Sequence, residues 1–237
     1  MKSTIKEIEE RFDQDVARFS NLDTGQQTTL DALFNMELIT EAIARRYQTP
    51  ITVLDIGCGA GNYSVKLNQK KQDTAITLVD LSQPMLDKAY ERVNNITNNQ
   101  PRVFKGDFRD IDFQNEKYDV IIATAVLHHL RDDADWETTF KKLYHLLNEN
   151  GSVWIFDLVH QNDSALQQYI YKELYGEYLT GLKDQNYRDH VFSYIEKEDS
   201  PRPLIYQLGL LGKVGFTQID VLHKHLCFAS FVGFKSQ

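Results

Sequence analysis

The chain has 237 residues, 42% of them hydrophobic and 11% aromatic, enough apolar material for one full core and typical of a single globular domain. Its net charge of −8 argues against a bulk electrostatic grip on nucleic acid or an anionic membrane, and no long basic run supplies a local one. The first twenty residues hold no signal-peptide core, and no apolar stretch approaches the roughly 20 residues of a spanning helix. Cys58 and Cys227 stand too far apart for a disulfide framework or zinc site, so a cytoplasmic protein with two reduced thiols is expected.

In chain order, Phe12, Val16, Ala17 and Phe19 mark an amphipathic N-terminal segment. From residue 50 to about 158 strand-like and helix-like patterns alternate, which is the signature of a covered, mostly parallel sheet. The strand-like runs are Ile51 to Ile56, Ala75 to Val79, Arg102 to Phe104, Tyr118 to Thr124 and Ser152 to Leu158. Between them lie helical patterns over Tyr63 to Lys70, Ser82 to Val93 and Asp132 to Leu147, the second opened by Ser82 as a cap with Pro84 in its first turn. Asn150-Gly151 marks the end of the third helix and the start of the next strand. The alternation then lapses for about forty residues. A helical pattern from about Arg202 to Val214 stops at Gly215, and two strand-like runs follow, Phe216 to Leu222 and Leu226 to Phe234. The polar His223-Lys224-His225 between them is expected to be the link of an antiparallel hairpin.

The chemistry concentrates at Val53-Leu54-Asp55-Ile56-Gly57-Cys58-Gly59-Ala60-Gly61: an apolar strand, an acid, and glycines at every second position before a helix. Such glycines allow a tight turn and close approach of a ligand to the peptide groups. Asp55 would repel a pyrophosphate but can hold an ammonium group, directly or through water. The G-x-G-x-G spacing is one residue shorter than the dinucleotide fingerprint. A nucleoside ending in an amino acid fits both features.

The stretch from Asp55 to Gly61 resembles the cofactor loop of the class I S-adenosylmethionine-dependent methyltransferases, and later stations of that family follow in order, extending the resemblance over roughly residues 30 to 237. It implies an α/β Rossmann-like three-layer sandwich: a seven-stranded, mostly parallel sheet with an antiparallel C-terminal hairpin. It also implies one methyltransferase domain over 1–237, with 1–30 as an N-terminal helical lid and 159–202 as a helical insertion on the acceptor side. The cofactor would be S-adenosyl-L-methionine and the product S-adenosyl-L-homocysteine. Gly57, Cys58, Gly59 and Gly61 would form its cradle with Asp55. Asp80, ending the second strand, would accept the ribose hydroxyls, with Leu81 and Met85 flanking the adenine. Gly106, Asp107 and Phe108 would read the base, Asp107 taking its amino group unless the Asp107, Asp110 and Asp112 cluster is only a solvated turn. Backbone carbonyls of Thr124 and Ala125 would receive the methionine ammonium.

Methyl transfer is an in-line displacement that needs alignment and dryness, and a base only when the acceptor must lose a proton. His128 and His129, just past the fourth strand, are the candidate catalytic bases; the plainer alternative is a loop with one satisfied and one exposed histidine. The stretch from Gln161 to Tyr206 carries seven of the twelve tyrosines, and Tyr171, Tyr175 and Tyr178 at helical spacing either line an acceptor pocket or pack on the sheet. Phe12, Phe19 and the region of Asn21 are candidate lid residues, Phe19 also touching substrate, or parts of a packing helix.

A small-molecule acceptor is favoured over nucleic acid, in a monomer or homodimer without membrane contact. No metal is implied. The layout is also similar to the carboxy-S-adenosylmethionine synthases of transfer-RNA wobble uridine modification, which need a cation for the added carboxylate. Arg188 lies near the corresponding segment, in surroundings that depart from the pattern. A cofactor-binding module without turnover is the reading from another class, and a nicotinamide dehydrogenase is the weakest.

Overall fold

The computed structural model describes residues 2–21 and 26–236. Met1, Gln237 and residues 22–25, which fall inside the expected 1–30 lid, lie outside the described residues. The chain opens with helix α1, Ile5–Gln14, fixed by a capping box in which Thr4 accepts from the Glu7 amide while the Glu7 side chain accepts from the Thr4 amide. Short helix α2, Val16–Ser20, and helix α3, Ala32–Arg46, precede the alternating region. There the chain runs β1 (Ile51–Ile56), α4 (Asn62–Lys70), β2 (Thr74–Asp80), α5 (Gln83–Asn94), β3 (Arg102–Lys105) and β4 (Tyr118–Thr124). Ser82 caps α5 by accepting from the Met85 amide, as its sequence position suggests. A 3-10 turn, Leu127–His129, leads to α6 (Asp133–Leu146) and β5 (Leu147–Leu158).

The segment after Leu158 is helical in four pieces: α7 (Ser164–Gln167), a π-helix (Gln168–Tyr175), α8 (Gly176–Leu182) and α9 (Gln185–Glu198). Helix α10 (Leu204–Val214) ends at Gly215, whose left-handed φ of 118° stops it, and β6 (Gln218–His225) and β7 (Phe228–Phe234) complete the sheet.

The strand order is β3-β2-β1-β4-β5-β7-β6. β1 to β5 are mutually parallel, and β7 runs antiparallel to both β5 and β6. This is an α/β Rossmann-like sheet of seven strands. Alternate residues of each buried strand serve two separate cores, as a pleated sheet covered on both faces requires. Val53, Leu78, Val120 and Ile122 pack toward α3, α4 and α5, and Leu54, Ile56, Ile121 and Ile155 toward α6 and α10. The chain leaves β1 in one direction along the sheet and β4 in the other. That reversal opens a crevice at the carboxyl ends of β1 and β4, where open α/β sheets bind their ligands.

The hairpin link differs from expectation. His223, Lys224 and His225 are the end of β6, paired with Ser230, Ala229 and Phe228, and the turn is made by Leu226 and Cys227, with Leu226 at φ 48°. β6 is an edge strand, so its polar residues meet solvent and mimic a loop in sequence. β5 likewise begins earlier, at Leu147 rather than Ser152, with a register shift against β4 between Tyr118 and Val120. Among the described residues, no helix is long and apolar enough to cross a membrane.

Candidate functional site

The glycine loop occupies the crevice. Gly57 has φ 62°, and a Cβ there would stand 2.6 Å from Val126 Cγ2, so the exit of β4 closes onto bare backbone. Gly59, at φ 50°, has no atom within 4 Å of a built Cβ and presents its backbone to open space. Gly61 N-caps α4 against Ala89, and Cys58 is buried with its thiol pushed well above the ordinary range by desolvation. That thiol is inert packing.

Asp80 organises the loop: Oδ2 accepts from the Gly59 amide at 2.8 Å and Oδ1 from the Ser82 amide at 2.9 Å, while burial raises its pKa. The Leu81 amide also bonds this carboxylate, so of its roughly four acceptor positions about one remains for a hydroxyl. Asp55 is 1% exposed and does not line the cleft; it accepts from Ser64 Oγ at 2.6 Å, and burial pushes its pKa to about 7. An ammonium group in the cleft is therefore within Asp55's reach only through an intermediary such as water.

The cleft has three adjoining lobes. The central one encloses about 710 Å³ including the open solvent at its mouth. Gly57, Cys58, Gly59, Asp80, Leu81, Met85, Thr124 and Ala125 all line it, and Ala125 is held at φ 51° by its amide bond to the Phe156 carbonyl. A second lobe, toward β3, is lined by Gly106, Asp107, Phe108 and Leu81. Asp107 is chelated there by Arg109, whose guanidinium also bonds Asp135. Burial raises the Asp107 pKa, but Arg109 outweighs it and holds the carboxyl below its usual range.

The N-terminal helices cover the central lobe. Phe12 and Phe19 line it, Asn62 Nδ2 donates to the Phe19 carbonyl at 2.9 Å, Ser82 Oγ donates to Asp13 at 2.5 Å, and Glu9 bridges Lys105. Arg11 lies 4.3 Å over the Phe12 ring and makes a two-point pair with buried Glu198.

The third lobe lies between this cover, the 3-10 turn and α9. It combines apolar Phe12, Phe19, Tyr175 and Phe228 with His128, His129 and Asp199. His128 is fixed twice by Asp157, through its ring Nδ1 and through its amide at 3.1 Å, and its Nε2 is 3.7 Å from Asp199. Burial lowers the His128 pKa, yet the carboxylates of Asp157 and Asp199 outweigh it and raise it to about 9. A ring protonated at neutral pH has no lone pair with which to act as a base. His129 differs: it borders all three lobes, and its Nδ1 lies 3.0 Å from Asp199 Oδ1.

Of the tyrosine stripe, only Tyr175 reaches the cleft, and its hydroxyl donates to the Thr28 carbonyl at 2.7 Å. Tyr178 donates to the Gln27 carbonyl at 2.6 Å, and Tyr171 stacks on Tyr175 at 5.7 Å; both are packing residues of the cleft wall. Arg188 stands apart from all three lobes, because α9 turns it onto its neighbour Asp189. Asp157 and Asp199 escaped the sequence reading. Asp157 left a signal, a lone charge in the apolar run Trp154 to Leu158; Asp199 sits in a polar run and left none.

A switch-point crevice with a G-x-G-x-G loop, an acid ending β2 and a covered central lobe defines a nucleoside-binding α/β domain. A family model described as a methyltransferase domain matches residues 53–151. The chain has the S-adenosylmethionine-binding fold of the class I methyltransferases. In sequence it is similar to the carboxy-S-adenosyl-L-methionine synthase of Helicobacter pylori strain J99, 27% identical over 89% of this chain and 85% of that protein. In fold it is similar to magnesium protoporphyrin IX methyltransferase of Synechocystis, with a TM-score of 0.64 at 15% identity over 98% of this chain and 99% of that one. A putative O-methyltransferase of Nostoc punctiforme superposes with a TM-score of 0.62 at 18% identity; the 84% of this chain that matches spans only 57% of that protein.

Proposed function

We propose that the protein transfers the methyl group of S-adenosylmethionine to a small acceptor held in the third lobe. The observation that carries this reading is the junction at His129, where the nucleoside lobes and the aromatic lobe meet at one side chain. When bound, S-adenosylmethionine supplies an activated methyl group. The chain's own residues bind and align. Asp80 has room to accept a ribose hydroxyl, the carbonyls of Thr124 and Ala125 accept the ammonium, and Asp107 takes the adenine amino group by giving up part of its grip on Arg109. Phe12 and Phe19 keep water from the central lobe, which favours a displacement between poorly hydrated partners. His129 takes the acceptor's proton where the acceptor is a hydroxyl, with Asp199 orienting the ring. His128 serves as a fixed cation between Asp157 and Asp199.

The sequence likeness over 89% of the chain favours a second reading, formation of a carboxylated cofactor. That product needs a cation beside its added carboxylate. Arg188 is paired away from the cleft, and the guanidinium groups bordering the third lobe, Arg11 and Arg18, are engaged by Glu198 and Asp15. Mass spectrometry of the ligand that co-purifies separates the readings: the demethylated product supports methyl transfer, a species heavier than the parent cofactor by the mass of carbon dioxide supports the synthase, and the parent itself is common to both. Calorimetry with S-adenosylhomocysteine tests the shared premise. No heat of binding from either S-adenosylmethionine or this product would remove both.

A further inference from the structure

Outside the cleft, the edge strand β6 carries a pair of imidazoles aimed at a single carboxylate. His223 Nε2 and His225 Nδ1 each lie 2.8 Å from Asp31 Oδ2, and the three ligand atoms are all within 4.8 Å of one another. We propose that Asp31, His223 and His225 form a binding site for a divalent transition metal of the zinc class.

Three features of the fold support this. His223 and His225 are two apart on a strand, so both rings leave the same face, and the β6–β7 register shift between Val221 and His223 sets that face at the sheet edge. Asp31 stands at the N-cap of α3 but makes no side-chain cap; its φ of 57° turns the carboxylate from the helix toward the imidazoles. The Asp31 backbone is itself held, because its carbonyl accepts from both the amide and the side chain of Asn35. A non-glycine residue in this conformation that gives up its cap is spending local stability on something else. The Phe34 ring, edge-on at 4.9 Å, fixes the His223 ring.

The donor set suits the metal. Two neutral imidazoles and one carboxylate carry one negative charge against a dication, and this nitrogen-oxygen set favours zinc, cobalt or nickel over magnesium or calcium. Metal–ligand bonds of about 2.0–2.2 Å require ligand atoms about 3.3 Å apart in a tetrahedron, so the two nitrogen–oxygen separations of 2.8 Å have to widen by about half an ångström each, while the two imidazole nitrogens, within 4.8 Å of one another, settle to the same spacing. His225 is the exposed member, which leaves the fourth position facing water. The site ties β6 to the start of α3. Thr28 and Thr29, which border the third lobe, lie just before Asp31, so an ion there stiffens one wall of the cleft without touching the cofactor.

The test is a titration of the metal-free protein with zinc in competition with a chromophoric chelator, together with thermal melts. One tight equivalent is expected, with a rise in melting temperature of about 5 °C at zinc a hundredfold above its Kd. Both effects should be lost in the double variant His223→Ala/His225→Ala and kept in His190→Ala, whose ring is elsewhere on the surface. Cobalt offers a measurement that needs no variant: paramagnetic shifts in the NMR spectrum should be confined to residues near Asp31 and the β6–β7 hairpin. The proposal is overturned if zinc binds equally to the double variant, if the cobalt shifts centre on His128 and His129, or if no equivalent binds and the trio is only a hydrogen-bonded staple.

Discussion

Asp55 is a carboxyl with almost no access to water and a pKa of about 7 in the folded chain, against an ordinary value near 4. Because the folded value is the higher one, the folded state holds the proton more tightly, and stability is lost as pH rises from about 4 through 7. The full effect is on the order of 4 kcal/mol. We expect the melting-temperature difference between Asp55→Asn and the parent to move in favour of the variant between pH 5 and pH 8. A zwitterionic ligand whose ammonium approaches Asp55 should also release a proton near pH 7, seen in calorimetry as a heat that depends on the buffer. Of the loop glycines, Gly57 and Gly59 predict opposite failures. Gly57→Ala forces a methyl group into Val126 and should lower stability by about 2 kcal/mol or more, whereas Gly59→Val meets only the cleft. Its strain should cost about 1–2 kcal/mol, but its larger effect should be a loss of cofactor binding of at least about tenfold, measured by calorimetry on folded protein. Asp55 and the glycines were visible in the sequence because loop geometry demands those residue types. That Asp55 lies beneath the loop, bonded to Ser64, was not, since burial is decided by the neighbours of β1 rather than by the motif.

Among elements, the parallel strands were the easiest to read, because a strand covered on both faces is a continuous apolar run. The edge strand was not: the polar His223-Lys224-His225 reads as a turn until the β7 partners are known. The tyrosine segment was misleading in another way. Its i, i+4, i+7 spacing is that of an α-helix, but Gln168–Tyr175 is a π-helix, and only Tyr175 among the three turns into the cleft. Tyr175→Phe removes the hydrogen bond to Thr28 and should cost about 1 kcal/mol of stability. Because that bond shapes the third lobe, the variant should raise KM for the acceptor more than for the cofactor. Deleting residues 1–25 tests the cover formed by α1 and α2: weaker binding of S-adenosylhomocysteine is expected, and unchanged affinity would show those helices to be packing alone.

At the scale of the molecule, the third lobe is assembled from parts distant in sequence, among them α1, the 3-10 turn, the π-helix, α9 and the start of β7. No local pattern announces such a chamber, which is why the nucleoside half of the site was legible and this half was not. Its charge network contributes to the chain's response to alkali. The folded pKa of His128, about 9, exceeds its unfolded value near 6.5, so the stabilisation is complete below pH 6.5 and disappears as pH rises through 9. It amounts to about 3 kcal/mol. Melting temperature should fall between pH 7 and pH 10, and His128→Asn, already less stable at neutral pH, should show a smaller fall.

The order of the strands has a consequence for how the chain is made. β6 leaves the ribosome before β7, yet among the described residues its only neighbour in the sheet is β7, which lies between it and β5. The growing polypeptide must therefore hold β6 unattached until the final strand arrives and slots both into place in a single late step. Removing the last strand would cost the sheet two strands instead of one, and with them the hydrophobic lid over Trp154 and Phe156.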